Sequence, residues 1–228
     1  KPVILTGAQL PIGDLRTDSK ENLITSIQIA SIRKSGQAVI REVCLYFEYK
    51  LYRGNRTTKI NAEHFEAFTS PNYPPLIESG VNLKVQYPYL LPKKRSGKKL
   101  KVHTTMDANI GVLKLFPGIS KNLVQAVLGT TGLKALVLET YGAGNAPTEE
   151  WFINALKKAI TNGLHIINVT QCAGGSVIMG HYETSKKLSQ IQLVDGKDIT
   201  TEAAVTKAMY LLGAGITDSL FKTVLETS

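Results

Sequence analysis

The stretch LYRGNRTTKI, residues 51–60, places two hydroxyl groups, Thr57 and Thr58, directly before the ammonium group of Lys59. An apolar run typical of a buried strand precedes it. An isolated ammonium is too costly to bury, so Lys59 must reach water, pair with an anion or lose its charge. Two interpretations stay open: an exposed loop lysine, or an amine held near a carboxylate that helps to deprotonate a threonine nucleophile.

Other patterns that could carry chemistry are weaker. GAGNAP, residues 142–147, lies between a predicted strand and a predicted helix, as a dinucleotide-binding fingerprint does. However, Pro147 replaces the third glycine, no acidic partner is obvious, and a proline near a helix start is ordinary. The sequence has no Walker motif, no Gly-x-Ser-x-Gly elbow and no paired carboxylates at a usable spacing. The histidines are scattered and give metal or serine-triad chemistry little support: His64, His103, His165 and His181.

The elements that must position these residues alternate between strands and helices. Apolar strands are predicted at 2–7, 38–52, 110–116, 133–142 and 164–170, and helices at 19–34, 117–128, 148–163 and 200–213. In the first helix Leu23, Ile24, Ile27 and Ala30 recur at helical spacing, and Thr148 and Gly163 are expected to cap the third. Strands that are apolar throughout, joined by helices, indicate parallel sheets covered on both faces.

We therefore predict an α/β protein of two units, residues 1–92 and 109–228, joined by a basic linker over 93–108. Ligands of such sheets bind at loops that leave the carboxyl ends of strands. Polar loops follow several of the predicted strands and are expected to carry the sites: TGAQLP, RGNRTTK, TYGAGNAP and TQCAGG.

Composition narrows the class of partner and compartment. Six of the 27 basic residues lie within residues 93–101, and without them the net charge falls from +9 to +3, so a nucleic acid partner is not expected. Cys44 and Cys172 have no further cysteine or histidine at ligand spacing, which favours a reducing compartment over a disulfide or zinc framework. No run of 18 apolar residues occurs, so no membrane span is predicted.

Five stretches taken together resemble the type I (cytoplasmic) L-asparaginases, and the resemblance covers essentially the whole chain in order: KPVILTGAQLPIGDLRTDSKENL, LYRGNRTTK, FEAFTSPNYPPL, TYGAGNAP and NVTQCAGGSV. It implies an asparaginase-like fold with a larger amino-terminal α/β domain, incomplete here, and a smaller carboxyl-terminal one. It also implies hydrolysis of L-asparagine to L-aspartate and ammonia through a threonine acyl-enzyme, without cofactor or metal. A cytoplasmic homodimer or homotetramer is expected.

The resemblance assigns roles to four residues. Lys59 matches the family's catalytic lysine, which assists a threonine of a Thr-Asp pair. Asn145 in GAGNAP and Tyr182 in GHYETS match positions that the family brings from the neighbouring subunit towards the active site. Glu139 stands where some bacterial members carry an arginine of a regulatory asparagine site, and its carboxylate would repel the carboxylate of asparagine.

The sequence departs from the family in one respect. The glycine-rich TGGT loop and the HGTDT stretch, which hold the nucleophilic threonines and the aspartate, are expected before Lys1, and neither occurs in these 228 residues. The sequence also starts inside a strand pattern, so we expect an amino-terminal segment to be missing. Two alternatives stay open: the amidase subunit of a tRNA-dependent amidotransferase, and a non-catalytic binding fragment of the fold.

Overall fold

A computed structural model describes residues 1–92, 102–180 and 183–227, and of residues 183–185 it describes only the backbone. Contacts divide the chain into two compact units, Lys1–Lys99 and Leu100–Ser228. The boundary falls within the stretch predicted as a linker. The six basic residues of 93–101 lie outside the described residues.

The first unit, as far as it is described over residues 1–92, contains one helix and nine short strands. Its strands are β1 (Val3–Leu5), β2 (Arg33–Lys34), β3 (Gln37–Ala38), β4 (Val43–Phe47), β5 (Lys50–Arg53), β6 (Thr58–Lys59), β7 (Phe68–Thr69), β8 (Ile77–Ser79) and β9 (Leu83–Val85); α1 is Ser19–Ser31. Two 3-10 turns, Gly54–Arg56 and Tyr87–Tyr89, accompany them. Five strands form a sheet in the order β1-β4-β5-β8-β9, whereas β2–β3 and β6–β7 form separate two-stranded ribbons.

The sheet of the first unit is mixed. The pair β1 and β4 runs parallel, and the other neighbours in the sheet are antiparallel. The predicted strand 38–52 is in fact a hairpin, because Glu48 and Tyr49 reverse the chain with φ of 44° and 66°. Such turns normally carry Asn or Gly, and neither residue occurs here to signal one. The backbone N–H of Glu48 donates to Asn22 Oδ1 on α1, which helps to hold the turn.

The helix α1 is where it was predicted, but its buried face is partly polar. Leu23, Ile24 and Ile27 are 46%, 64% and 63% exposed, whereas the buried positions are Asn22, Thr25, Ser26 and Ile29. Tyr46 Oη donates to Glu21 Oε1 over 2.6 Å, and burial together with this bond raises the pKa of Tyr46 to about 12. Hydrogen bonds therefore supplement apolar packing where the helix meets the sheet.

The second unit confirms the predicted parallel sheet. Its strands are β10 (Ile110–Lys114), β11 (Ala135–Thr140), β12 (His165–Thr170) and β13 (Val194–Asp195), all parallel and in the order β10-β11-β12-β13. Its helices are α2 (Lys121–Leu128), α3 (Glu150–Thr161), α4 (Glu183–Ser189), α5 (Thr201–Gly213) and α6 (Asp218–Glu226). The helix α3 begins one residue later than predicted, with Glu149 rather than Thr148 at its N-cap, and Asn162 precedes Gly163 at its end.

Helices cover both faces of this sheet. Along β11, Leu136 and Leu138 belong to a core with α2, α3 and α4, whereas Ala135 and Val137 belong to a second core with α5 and α6. Alternation along a strand separates the two sets, since successive side chains point to opposite faces. Both faces of β11 are thereby packed against helices.

Candidate functional site

Lys59 lies on the ribbon formed by β6 and β7, opposite Phe68. Its side chain is exposed, and its Nζ lies 5.7 Å from the centroid of the Phe68 ring. The Phe68 ring packs against Phe47 at a centroid distance of 5.0 Å, and Phe47 is the last residue of β4. The ribbon that carries Lys59 is thus anchored at the carboxyl end of a sheet strand, on an aromatic pair.

The TGAQLP loop after β1 reaches the same place. Gln9 Nε2 donates to the carbonyls of Ala62 and His64, at 3.1 and 2.8 Å, in the segment that follows Lys59. The loop itself is shaped by the Asp18 carboxylate, which accepts from the backbone N–H groups of Gln9 and Leu10. The TGAQLP loop at the carboxyl end of β1 is therefore bonded to residues 62 and 64, which follow the predicted segment RGNRTTK.

The two hydroxyls before Lys59 have different surroundings. Thr57 Oγ1 donates to the carbonyl of Arg53 over 2.8 Å and so closes the turn that connects β5 to β6. Thr58 is half-buried and pairs with Thr69 across the ribbon. Thr57 thus has a structural role in the turn, which the sequence alone did not indicate.

Asn145 lies in a closed turn of the second unit. Tyr141 and Asn145 form a bridge, in which the N–H of Tyr141 donates to the carbonyl of Asn145 over 2.8 Å. Gly142 and Gly144 have φ of 49° and 104°, and a Cβ on Gly144 would lie 2.8 Å from Val177 Cγ1. Only glycine fits there without displacing a neighbour.

The loop after β12 braces this turn. Thr170 Oγ1 donates to the carbonyl of Gly142 over 2.6 Å, and the N–H of Ile178 donates to the carbonyl of Ala143 over 2.9 Å. The predicted loops GAGNAP and TQCAGG are therefore in contact. The glycines serve the turn and not a helix start, because α3 begins only at Glu150, which argues against the dinucleotide-binding interpretation.

Glu139 lies near the carboxyl end of β11 and is largely enclosed, with its side chain 15% exposed. Its Oε1 accepts from Thr201 Oγ1 over 2.7 Å, in the first turn of α5, and its Oε2 lies 3.9 Å from Lys114 Nζ. The carboxylate is thus engaged by neighbouring elements of its own unit. This anchoring role was not predicted, since nothing in the sequence links positions 139 and 201.

The four predicted site residues fall in different places. Lys59 belongs to the first unit, Asn145 and Glu139 belong to the second, and Tyr182 lies outside the described residues. Within the described ranges no three histidine, cysteine or carboxylate side chains cluster as metal ligands, and no helix is long and apolar enough to cross a membrane.

Comparison with known proteins identifies the family to which this architecture belongs. Residues 1–90 match the family described as "Asparaginase, N-terminal", and residues 109–225 match "Glutaminase/Asparaginase C-terminal domain". The crystal structure of L-asparaginase I from Vibrio cholerae superimposes with a TM-score of 0.91 at 36% identity, covering 100% of this chain and 67% of that one. The chain belongs to the asparaginase family, in its type I branch, as its motifs predicted.

Relatives that carry different names are similar to the same part of this chain. L-asparaginase 1 of Escherichia coli K12 is 42% identical over 213 residues, which cover 93% of this chain and 60% of that protein. The 60 kDa lysophospholipase of Mus musculus is 44% identical, over 93% of this chain and 36% of its own length. A glutamyl-tRNA(Gln) amidotransferase subunit from Methanobrevibacter smithii is more distant, at 30% identity over 93% of this chain and 48% of its own length. The chain therefore spans less than two thirds of the length of each of these relatives.

Proposed function

We propose that this chain is part of an amidohydrolase that converts L-asparagine to L-aspartate and ammonia. The observation that carries the proposal is the placement of Lys59, in an asparaginase motif, on a ribbon at the carboxyl edge of β1 and β4. In α/β sheets, ligands bind outside the carboxyl ends of parallel strands, and β1 and β4 are such a pair. Family membership and the relatives named L-asparaginase support the choice of substrate.

The chemistry we propose is acyl transfer in two steps. A threonine hydroxyl attacks the side-chain amide carbon of asparagine, and the hydroxyl proton passes through the Lys59 amine to the departing nitrogen, which leaves as ammonia. Water then hydrolyses the threonine ester and releases aspartate. Because these 228 residues contain neither TGGT nor HGTDT, we propose that a segment outside them supplies the threonines and the aspartate.

Three further assignments belong to this proposal. Asn145 and Tyr182 would approach the substrate from the neighbouring subunit of a cytoplasmic homodimer or homotetramer. The braced turn around Asn145 supports such a role, because it holds the residue on a rigid loop. Glu139 would leave no regulatory asparagine site, since its carboxylate is of the same sign as the ligand's.

The test is Lys59→Met in the full-length protein, with ammonia release as the measurement. Loss of acid–base assistance should lower turnover by about 10²- to 10⁴-fold. Exposure of Lys59 predicts that the fold survives, which circular dichroism checks. Lys84→Met, at another exposed lysine of the first unit, is the matched control and should change turnover by less than about twofold. Near-normal turnover in a folded Lys59→Met variant would refute the role of Lys59.

Two observations favour a second function. The similarity to an amidotransferase subunit, together with six basic residues in 93–101, fits an amidase that delivers ammonia to a tRNA-linked reaction. Contact with tRNA is the property that separates this function from a free asparaginase.

A further inference from the structure

We propose that Arg53 is a positioning residue for Lys59, because its carbonyl holds the chain that enters the β6–β7 ribbon and its side chain holds the chain that leaves it. Arg53 is the last residue of β5 and lies six positions before Lys59. The inference rests on the proposed function of Lys59, and it extends that function to a group that does not itself touch the substrate.

The Arg53 side chain belongs to an enclosed ion pair. Its Nε donates to Glu42 Oε2, and the side chains of Arg53 and Glu42 are 14% and 5% exposed. The second oxygen of Glu42 accepts from the backbone N–H of Leu91 over 3.0 Å. An enclosed carboxylate with both oxygens satisfied is a fixed anchor, so the guanidinium has little freedom to move.

The same guanidinium holds the chain that follows β7. It lies 4.3 Å from the centroid of the Tyr73 ring, and its Nη2 donates to the carbonyl of Tyr89 over 2.9 Å. Tyr73 Oη donates to that same carbonyl over 2.9 Å. Since Tyr73 follows β7 by only four residues, this contact limits where the second strand of the ribbon can lie.

The backbone of Arg53 holds the chain that leads into β6. Its carbonyl accepts from Thr57 Oγ1 over 2.8 Å, which closes the turn Gly54–Arg56. A Cβ on Gly54 would lie 3.1 Å from the carbonyl oxygen of Val43, so this turn packs closely against the start of β4. Lys59 follows Thr57 by only two residues, so the position of this turn limits where Lys59 can lie.

The surroundings of Arg53 stabilise its protonated, charged form. Burial alone would lower the pKa of Arg53, but the hydrogen bond and the negative charge of Glu42 outweigh burial and raise it. A lysine could keep the positive charge but not the planar fork that pairs with Glu42 and Tyr89 while stacking on Tyr73. Position 53 therefore requires arginine for geometry as well as for charge.

The experiment compares Arg53→Met, Glu42→Gln and the double variant in the full-length protein. Arg53→Met leaves the enclosed carboxylate of Glu42 unpaired, and Glu42→Gln leaves the guanidinium of Arg53 unpaired, so each single variant should have a lower melting temperature. The double variant removes both charges and should regain much of the stability. We expect the double variant to keep a kcat lowered by about 10²-fold with KM little changed, since displacement of a catalytic group by about 1 Å has that effect. Arg33→Met, at an exposed arginine, is the matched control with unchanged kcat.

Hydrogen–deuterium exchange of the amides of residues 57–69 gives a second measurement that does not depend on activity. Faster exchange there in the double variant, at restored melting temperature, supports the proposal. A normal kcat in the double variant, or unchanged exchange of these amides, overturns it. If the double variant does not fold, Arg53→Lys decides, because the proposal requires a lower kcat in a folded protein and a normal kcat overturns it.

Lys59→Met, measured in parallel, separates the two proposals. A folded but inactive Lys59→Met with a normally active Glu42 and Arg53 double variant refutes only the positioning role. A normally active Lys59→Met refutes the function of Lys59, and the exchange measurement still decides whether Arg53 holds the ribbon.

Discussion

Glu48, at the turn between β4 and β5, is a carboxylate whose ionised form the fold disfavours. Burial, and then the negative charges of Asp18, Glu21 and Glu66, raise the pKa of Glu48 above its ordinary value of 4.5. The folded state therefore binds the Glu48 proton more tightly than the unfolded state does. The stability that this preference contributes is fully present below pH 4.5 and is lost as the pH rises through the folded pKa.

The prediction at this scale is that Glu48→Gln raises the melting temperature at pH 7.5. The amide stays neutral, so it avoids the repulsion that the carboxylate meets from its three neighbours. At pH 4 the difference from the unmodified protein should shrink, because Glu48 is then largely protonated in both states. Glu63→Gln, at an exposed glutamate, should show no comparable change. A melting temperature that is equal or lower at pH 7.5 would contradict the argument.

At the scale of elements, the carboxyl end of β11 holds the first turn of α5. Thr201→Val removes the hydroxyl that donates to Glu139 and leaves an enclosed carboxylate oxygen without its partner. We expect the free energy of unfolding to fall by about 1–3 kcal/mol, measured by urea denaturation. The ion pair with Lys114 compensates little, because its Nζ is 3.9 Å away and the lysine side chain is 63% exposed. Thr206→Val, on an exposed turn of α5, is the control and should change stability by less than about 0.5 kcal/mol.

The elements also show how far the sequence alone could lead. The strands β10, β11 and β12 were predictable because they are apolar on both faces and alternate with helices, which only a covered parallel sheet satisfies. The β4–β5 hairpin was not, because Glu48 and Tyr49 adopt positive φ without the usual Asn or Gly. In α1, the apolar residues Leu23, Ile24 and Ile27 recur at helical spacing but lie on the exposed side. The inward side is polar instead, and its Glu21, Asn22 and Thr25 bond to the rest of the unit or to one another.

For the candidate site, too, the sequence predicted some features and not others. The rule that ligands bind at the carboxyl ends of strands pointed to TGAQLP and RGNRTTK, and Gln9 of the first segment bonds to Ala62 and His64, shortly after the second. The pairing of Arg53 with Glu42 and Tyr73 was not predicted. It depends on tertiary contact between a strand end, the segment before β4 and a proline-rich loop, and no local pattern encodes that contact.

At the scale of the whole molecule, the excess of positive charge separates the two proposed functions. Replacing the six basic residues of 93–101 by serine and glutamine lowers the net charge from +9 to +3. For a free asparaginase we expect ammonia release within about twofold of the unmodified protein, since exposed charges away from a site contribute little. We also expect no retention of tRNA in an electrophoretic mobility assay, with or without the replacement.

Binding of tRNA through these six residues would be recognised by its dependence on salt. If these six residues contact phosphates, the affinity for tRNA should fall with salt at a log–log slope of about −4 to −5, and the replacement should abolish that slope. Such binding would favour the amidotransferase function over the asparaginase function.

The strand order of the second unit has a consequence for how the protein is made. Because β10, β11, β12 and β13 are neighbours in the sheet in the order in which the ribosome synthesises them, each new strand can join the edge of the preceding one as it emerges. The helices α2, α3 and α4 emerge between the strands and cover one face during this growth, whereas α5 and α6 are translated after all four strands. The apolar face that holds Ala135, Val137, Ile167 and Val169 thus stays open to water until residues 201–226 leave the exit tunnel. At about 5–20 residues per second, that interval lasts on the order of seconds, and during it the open apolar face makes the nascent chain prone to aggregation.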